Sequence, residues 1–161
     1  MMLRKVISGG QTGVDIAGLR AAKLCGLETG GTAPKGYRTM DGVNYDLRDI
    51  FGVAEHADWA YPPRTECNVK DSDATIRVAT NFDSTGERLT HKYLCKHRRP
   101  YFDVDPRNPP DVAEVVEWLR DNRVEILNVA GNSERTSPGI EVVARDFLFK
   151  VFRRIRDDRR L

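Results

Sequence analysis

The chain has 161 residues and carries 26 Lys and Arg against 24 Asp and Glu, a formal net charge of +2. That balance gives no electrostatic argument for a nucleic-acid partner, and the length suits one domain with a full core. No apolar run reaches the roughly 20 residues of a membrane-spanning helix. The 3 cysteines are an odd number at wide spacing, which argues against a disulfide framework and favours a reducing compartment. We therefore expect a cytoplasmic protein without membrane contact.

Apolar, β-branched runs alternate with amphipathic segments along the chain. Strand-like runs cover 3–8, 74–79, 100–104 and 124–129, and helix-like segments begin at Gly13, Glu87, Asn108 or Asp111, and Ser137. The segment 29–44 lacks periodicity and is predicted to be a long loop. Alternating strands and helices imply parallel pairing. The sequence predicts an α/β fold, a three-layer αβα Rossmann-like sandwich with a mainly parallel sheet, as one domain over 1–161.

Gly18 stands within the first predicted helix, on a face otherwise built from alanines and Val14. Glycine lowers helix propensity, so its presence there predicts close packing of that face against a neighbouring element.

A glycine-rich segment follows the first strand: Ser8-Gly9-Gly10-Gln11-Thr12-Gly13. Glycines allow close backbone approach and positive φ, and free N–H groups at a helix N-terminus favour an anion such as phosphate. The Ser, Gln and Thr side chains add further hydrogen-bonding groups. The segment is neither a Walker loop nor a regular dinucleotide fingerprint. The alternative interpretation is a tight turn that needs glycine for packing alone.

The segment Lys35-Gly36-Tyr37-Arg38 places two cations around a glycine and an aromatic ring. Lysine as a point charge, arginine as a fork and tyrosine as a stacking surface suit a phosphate attached to a planar ring. A solvated basic loop has the same composition, so this alternative stays open.

Polar residues crowd the entry to the strand at 74–79. Glu66, Asn68 and Asp71 are candidates to line a pocket and bind a heterocycle edge or ribose hydroxyls; helix and turn caps are the alternative. After the same strand, Ser84, Thr85 and Gly86 form a second candidate anion cradle. Gly131 and Asn132 follow the strand at 124–129. Ligands of open α/β sheets bind outside the carboxyl ends of the strands, so we expect these loops to share one pocket.

Four segments together resemble the "putative molybdenum carrier" family, circularly permuted members of the Rossmann-like SLOG group: 8–15, 34–36, 65–75 and 127–131. The resemblance runs in order from residue 8 to about residue 148. It implies a Rossmann-like fold, a homodimer or homotetramer and, in some members, binding of the molybdenum cofactor. That ligand is a pterin with a phosphate that holds its own metal, so no metal coordinated by the protein is expected.

The family's motifs map residue by residue onto this chain: Gly9, Gly10, Gln11, Thr12, Gly13, Lys35, Gly36, Thr65, Glu66, Asn68, Asp71 and Asp73. The loop after the central strand departs from the family. Relatives carry a serine-glycine-glycine-threonine-like loop, whereas here Asp83 and Glu87 lie beside the presumed anion site. These acidic residues oppose tight phosphate binding at that loop.

The leading hypothesis is a binding or carrier protein for a phosphorylated small molecule, either the molybdenum cofactor or a nucleotide. Related SLOG proteins imply an alternative, a nucleoside-monophosphate N-glycosidase (phosphoribohydrolase). Glu87 or Glu66 would then supply the carboxylate, with Arg38 or Arg88 nearby. A nucleotide-signal sensor whose oligomeric state changes on binding is the third hypothesis.

Overall fold

The computed structural model describes residues 2–158, and residues 1 and 159–161 lie outside the description. Its elements follow in chain order: β1 (Lys5–Ile7), α1 (Val14–Leu24), β2 (Glu28–Gly30), β3 (Thr32–Ala33), a 3-10 turn (Lys35–Tyr37), β4 (Arg38–Thr39), β5 (Gly42–Val43), α2 (Asp46–Asp49), β6 (Ala54–Glu55), α3 (Tyr61–Lys70), β7 (Ala74–Val78), α4 (Thr85–Lys96), β8 (Tyr101–Val104), α5 (Val112–Asp121), β9 (Ile126–Gly131) and α6 (Ile140–Asp158).

The central sheet has five strands in the order β2-β1-β9-β7-β8, and every neighbouring pair is parallel. In the register of the inner strands, Val6 lies opposite Leu127 and Ile76 opposite Val129. All residues of β7 are buried, as is typical of a strand covered on both faces. The carboxyl ends of β1, β9 and β7 therefore lie side by side at one edge of the sheet.

Helices cover both faces of this sheet. Ile76 and Val78 of β7 join the main hydrophobic core, which α1, α5 and α6 complete on one face. The alternate residue Arg77 points to the opposite face, where its Nη1 donates to the Glu87 carbonyl oxygen of α4 at 3.0 Å. α3 packs against α4 through a small apolar cluster of its own. This arrangement confirms the predicted α/β sandwich.

Gly18 brings α1 into close contact with the sheet. A Cβ atom on Gly18 would lie 2.6 Å from Cγ1 of Val129 in β9, closer than two such atoms can approach. The close packing predicted from this glycine is therefore present in the fold.

The segment predicted to be a loop over 29–44 contains several short elements instead. Glu28–Gly30 forms the edge strand β2, β3 pairs with β6, and β4 forms a hairpin with β5. A second hydrophobic cluster, which includes Leu19 of α1 and Leu47 of α2, packs beneath them. Strands of two or three residues are too short to produce a periodic pattern, which is why the sequence did not reveal them.

The sequence also gave no prediction of α3, because the polar stretch at 65–73 was interpreted as part of a strand entry. The helix begins at Tyr61 and has Pro62 in its first turn, a recognised start signal. At the start of α5, Asp111 rather than Asn108 occupies the N-cap position. No helix within residues 2–158 is both long and apolar enough to cross a membrane.

We predict that Gly18→Ala lowers the free energy of unfolding. The overpacking cost of about 1–3 kcal/mol exceeds the roughly 1 kcal/mol gained in helix propensity. Gly86→Ala is the matched control, because a Cβ atom on Gly86, in the first turn of α4, meets nothing within 4 Å. Urea denaturation followed by circular dichroism measures both variants. A Gly18→Ala protein as stable as the Gly86→Ala protein would contradict the packing of α1 on β9.

Candidate functional site

A cavity of about 600 Å³ opens at the carboxyl edge of the sheet, between the β1–α1 loop, α3, the start of α4 and the end of β9. Eight residues proposed from the sequence line it: Gly9, Gln11, Asn68, Ser84, Thr85, Gly86, Glu87 and Gly131. The cavity volume falls within the range of small-molecule sites.

The glycine-rich β1–α1 segment satisfies three of its amides with its own side chains. The Gly10 amide donates to Ser8 Oγ at 3.2 Å, and the Gln11 amide donates to Asp15 Oδ2 at 3.2 Å. The Thr12 amide donates to the Gln11 side-chain oxygen at 3.0 Å. The Asp15 carboxylate thus takes the place that the sequence analysis gave to a bound anion.

The glycines of this edge also have packing reasons of their own. A Cβ atom on Gly9 would lie 1.7 Å from Nη1 of Arg64. Gly13 has φ +87°, and a Cβ atom there would lie 2.3 Å from the Asn132 carbonyl oxygen. At Gly131 a Cβ atom would lie 1.9 Å from a main-chain oxygen of β7. These contacts support the alternative interpretation of the loop as a turn that requires glycine for packing.

Not every residue of the first loop reaches the cavity. Ser8 is fully buried beneath the loop, where its hydroxyl donates to the Asp15 carbonyl oxygen at 2.9 Å. Gly10, Thr12 and Gly13 line a separate depression of about 320 Å³ on the other side of the loop.

Arg64 of α3 is a cavity residue that the sequence analysis missed. Its Nη1 lies 3.2 Å from Asp15 Oδ2, and its side chain is 13% exposed. Its guanidinium carbon lies 5.4 Å from the centre of the Tyr61 ring. Nε is buried and has no hydrogen-bond partner among the described residues. Within that same part of the chain, Nη2 also donates to no protein acceptor, and unlike Nε it is not fully buried, so Nη2 is the donor left for a guest.

Arg64 was missed because helix α3 was not predicted from the sequence. Tyr61, Arg64, Thr65 and Asn68 stand at helical spacing and all line the cavity, so they share one face of α3. The Asn68 side chain is already occupied, since it accepts from the Thr32 amide and donates to the Thr32 carbonyl oxygen, both at 2.9 Å. Prolines at the helix start together with this spacing were the signal in the sequence.

The N-terminus of α4 presents unpartnered amides to the cavity. Ser84 is the N-cap residue, and its side chain accepts from the Glu87 amide. The amides of Thr85 and Gly86 donate to no acceptor among residues 2–158, and both residues line the cavity. Free N–H groups at the start of a 12-residue helix form a site for an anion.

Asn132 links the end of β9 to this helix start. Its Oδ1 accepts from the amides of Thr80 at 2.9 Å and Asn81 at 3.1 Å. Its Nδ2 donates to Glu87 Oε2 at 2.8 Å, and the Ser84 hydroxyl donates to the same oxygen. The side chain of Asn132 thereby holds the Glu87 carboxylate in one orientation.

Two carboxyl groups of the cavity have raised pKa values. Burial raises the pKa of Asp15 to about 6, although the Arg64 guanidinium and the Gln11 amide act in the opposite direction. Burial also raises the pKa of Glu87, against hydrogen bonds from Ser84 and Asn132. Perturbed carboxyl groups in a cavity of ligand size mark a candidate functional site.

The basic segment of the sequence analysis lies outside the cavity. The Lys35 ammonium group lies 5.3 Å from the centre of the exposed Trp59 ring. The Arg38 guanidinium lies 5.0 Å from the centre of the Tyr61 ring, which itself lines the cavity. The Gly36 amide donates to the Glu55 carboxylate at 2.9 Å. Arg38 therefore contacts the cavity residue Tyr61 without lining the cavity itself, and Lys35 and Gly36 lie away from the cavity.

The two acidic candidates of α3 and its C-terminus also lie away from the cavity. Glu66 Oε1 accepts from Lys96 Nζ at 2.7 Å and lies 2.8 Å from His97 Nε2, contacts that tie α3 to the end of α4. Lys96 lowers the pKa of Glu66. Asp71 is exposed at the C-cap of α3. Within residues 2–158 no three His, Cys, Asp or Glu side chains are grouped to hold a metal ion.

We predict that Asp15 makes stability fall as pH rises. Its pKa is about 6 in the folded state against an ordinary 3.8, so between these values the folded chain binds more protons than the unfolded chain. The free energy of unfolding then decreases with rising pH, by up to about 3 kcal/mol for a shift of this size. Asp15→Asn should remove this component, and urea denaturation from pH 4 to pH 6.5 measures it.

Asp121→Asn is the control for this prediction, since Asp121 is exposed at the end of α5. The loss of the partner of Arg64 in Asp15→Asn adds an offset that does not depend on pH. Parallel pH profiles for the Asp15→Asn and wild-type proteins would contradict the raised pKa.

Comparison with known proteins places this chain in a family. A crystal structure at 1.45 Å resolution of a "putative molybdenum carrier protein" from Syntrophus aciditrophicus SB superposes with a TM-score of 0.83 and 28% sequence identity. The alignment covers 93% of this chain and 94% of that one. No curated protein is significantly similar to the sequence. The family model described as circularly permutated YpsA SLOG matches residues 6–152, and the chain belongs to this family.

Proposed function

We propose that this protein is a binding or carrier protein for a phosphate-bearing small molecule, either the molybdenum cofactor or a nucleotide. One observation carries the proposal: Thr85 and Gly86, whose amides are free, line the same cavity as Arg64, whose Nη2 has no acceptor among the described residues. A phosphate accepts hydrogen bonds from helix N-termini and from the arginine fork. The name of the Syntrophus protein supports a carrier role.

The cavity residues fit the chemistry of the molybdenum cofactor in two respects. Thr85, Gly86 and Arg64 supply donors for its phosphate, and Tyr61 and Leu89 supply apolar surface for a planar ring. Glu87 and Gln11 offer polar groups for the edge of a heterocycle. The cofactor brings the sulfur ligands of its own metal, so the chain would need none. A nucleoside monophosphate has the same combination of phosphate, ring and polar edge.

Native mass spectrometry of gently purified protein tests this function, because it reports ligand mass and subunit number together. Calorimetric titration with GMP and neopterin monophosphate then measures affinity. We expect a co-purifying mass or a measurable dissociation constant for at least one phosphorylated probe. Protein without any bound mass that binds neither probe would contradict the proposal.

We predict that Arg64→Gln weakens binding of the phosphorylated probe at least about tenfold. The substitution removes charge-assisted hydrogen bonds to the phosphate, which typically contribute about 1.5–3 kcal/mol each. Arg88→Gln is the matched control, since Arg88 is exposed on α4 and does not line the cavity. Calorimetry measures both variants.

Arg64→Gln leaves Asp15 without its cation, and this can destabilise the fold. The double variant Arg64→Gln/Asp15→Asn removes both charges and keeps the affinity measurement interpretable. Equal affinity of the double variant and the wild-type protein would show that the phosphate lies elsewhere.

The N-glycosidase alternative is favoured by one observation, the position of Glu87. Its side chain lines the cavity one residue after the free Gly86 amide, whereas Glu66 lies outside the cavity. A carboxylate beside a phosphate site could stabilise positive charge developing on a ribose ring. Arg64 rather than Arg88 is then the arginine within the same cavity.

If the protein turns over nucleotides, we expect Glu87→Gln to abolish release of adenine from AMP. Glu66→Gln, the matched control, should keep the wild-type rate because Glu66 does not line the cavity and its partners, Lys96 and His97, lie at the far end of α4. Chromatography of the free base after long incubation measures the reaction. Intact AMP with the wild-type protein would remove this alternative, and equal rates for wild type and Glu87→Gln would exclude Glu87 as its carboxylate.

We further propose a cytoplasmic homodimer or homotetramer, as the family resemblance and the cysteine content suggest. The described residues contain Cys25, Cys67 and Cys95 as free thiols. Light scattering with and without GMP separates a passive carrier from a nucleotide-signal sensor. A ligand-dependent change in mass favours the sensor.

A further inference from the structure

The charges of the cavity do not cancel. Among the described residues, three charged side chains line the cavity: Asp15, Glu87 and Arg64. Arg64 forms its ion pair with Asp15, at 3.2 Å. Arg77, which does not line the cavity, donates to the Glu87 main-chain oxygen; its charge acts on the Glu87 carboxylate from a distance, but its guanidinium is paired with Asp103 at 2.7 Å. The Glu87 carboxylate therefore has no cation of its own among the residues that line the cavity.

The Glu87 carboxylate is also fixed in direction. Oε2 accepts from Asn132 Nδ2 at 2.8 Å and from the Ser84 hydroxyl. Oε1 accepts no hydrogen bond from any residue in the described part of the chain, although the residue is only 3% exposed. Oε1 is not among the fully buried unpartnered side-chain atoms of the described residues, so it keeps accessible surface where Glu87 lines the cavity, and a donor from a guest can reach it.

We propose that Glu87 is the specificity-determining residue of this cavity. Its free oxygen accepts a hydrogen bond from a hydroxyl or N–H group of the guest, and its charge repels fully deprotonated oxyanions such as sulfate and molybdate, which have no donor. The inference rests on the proposed function, since it assumes that the phosphate lies at the amides of Thr85 and Gly86. The expected guest is then a phosphate ester that also carries a hydrogen-bond donor.

The repulsion between Glu87 and a bound oxyanion is expected because both lie at the first turn of α4. A phosphate at the Thr85 and Gly86 amides lies beside residue 87 of the same first helical turn. Like charges in a site of low dielectric disfavour each other strongly. A guest with a donor group regains this energy through a charge-assisted hydrogen bond, while a bare oxyanion has nothing to offer the carboxylate.

Glu87→Gln tests this proposal because Asn132 dictates how the new amide is oriented. Oδ1 of Asn132 accepts from two main-chain amides, so its Nδ2 must remain the group that faces residue 87. The new side chain then turns its oxygen toward Asn132 and its NH2 group toward the guest. One substitution thus removes the negative charge and replaces an acceptor by a donor.

We expect Glu87→Gln to change the two classes of probe in opposite directions. In calorimetry, sulfate and molybdate should bind at least about tenfold more tightly than to the wild-type protein, and GMP or neopterin monophosphate at least about tenfold more weakly. Two further probes identify the donor: ribose 5-phosphate offers only sugar hydroxyls, and 2′,3′-dideoxy-GMP offers only the N–H groups of the base. Glu117→Gln, an exposed position on α5, controls for net charge.

Thermal denaturation of both variants confirms that they are folded. Suppose that the wild-type protein binds a phosphorylated probe. If Glu87→Gln then changes the affinity for both classes of probe in the same direction, or changes neither affinity, the specificity role of Glu87 is overturned while the proposed function stands. If the wild-type protein binds no phosphorylated probe, the proposed function fails and this inference fails with it.

Discussion

The buried ion pair between Arg64 and Asp15 connects the parts of this site. It joins α3 to the first turn of α1, at 3.2 Å, and the guanidinium lies against Gly9, where no side chain has room. Removal of either partner would leave a charge buried without compensation, which is far more costly than loss of a surface pair. The geometry of the first loop, the position of α3 and the shape of the cavity wall therefore depend on one another.

This pair changes which helix start can receive an anion. At α1 the Asp15 carboxylate already accepts from the Gln11 amide, so the positive end of that helix is neutralised from within. At α6 the Glu134 carboxylate accepts from the amides of Gly139 and Glu141 in the same manner. At α4 the Glu87 amide donates to the Ser84 side chain, but the amides of Thr85 and Gly86 have no partner among the described residues. We therefore propose that a guest anion binds at α4, although the glycine content of the sequence draws attention to the loop before α1.

The sequence was sufficient for four of the five strands of the central sheet, all but β2, and for the edge that carries the site. Strands such as β7 are long enough to give a clear apolar pattern, and parallel pairing then brings the loops together by geometry alone. The sequence was insufficient where the decisive contact joins distant residues. The partnership of Arg64 with Asp15 spans 49 positions and depends on α3, whose polar face concealed its helical character. The sequence likewise does not show which amides are free. An amide is occupied when a side chain of the same segment accepts from it, as Asp15 does from Gln11, and no local sequence pattern predicts this contact.

Our central proposal is that the phosphate of the guest binds the amides of α4 and not those of the glycine-rich loop. Amide chemical shifts in a 15N-labelled sample, recorded during titration with GMP or neopterin monophosphate, test it directly. The account predicts the largest changes at Thr85 and Gly86, with small changes at Gly10 and Thr12. The largest changes at Gly10 and Thr12, with Thr85 and Gly86 unaffected, would contradict it.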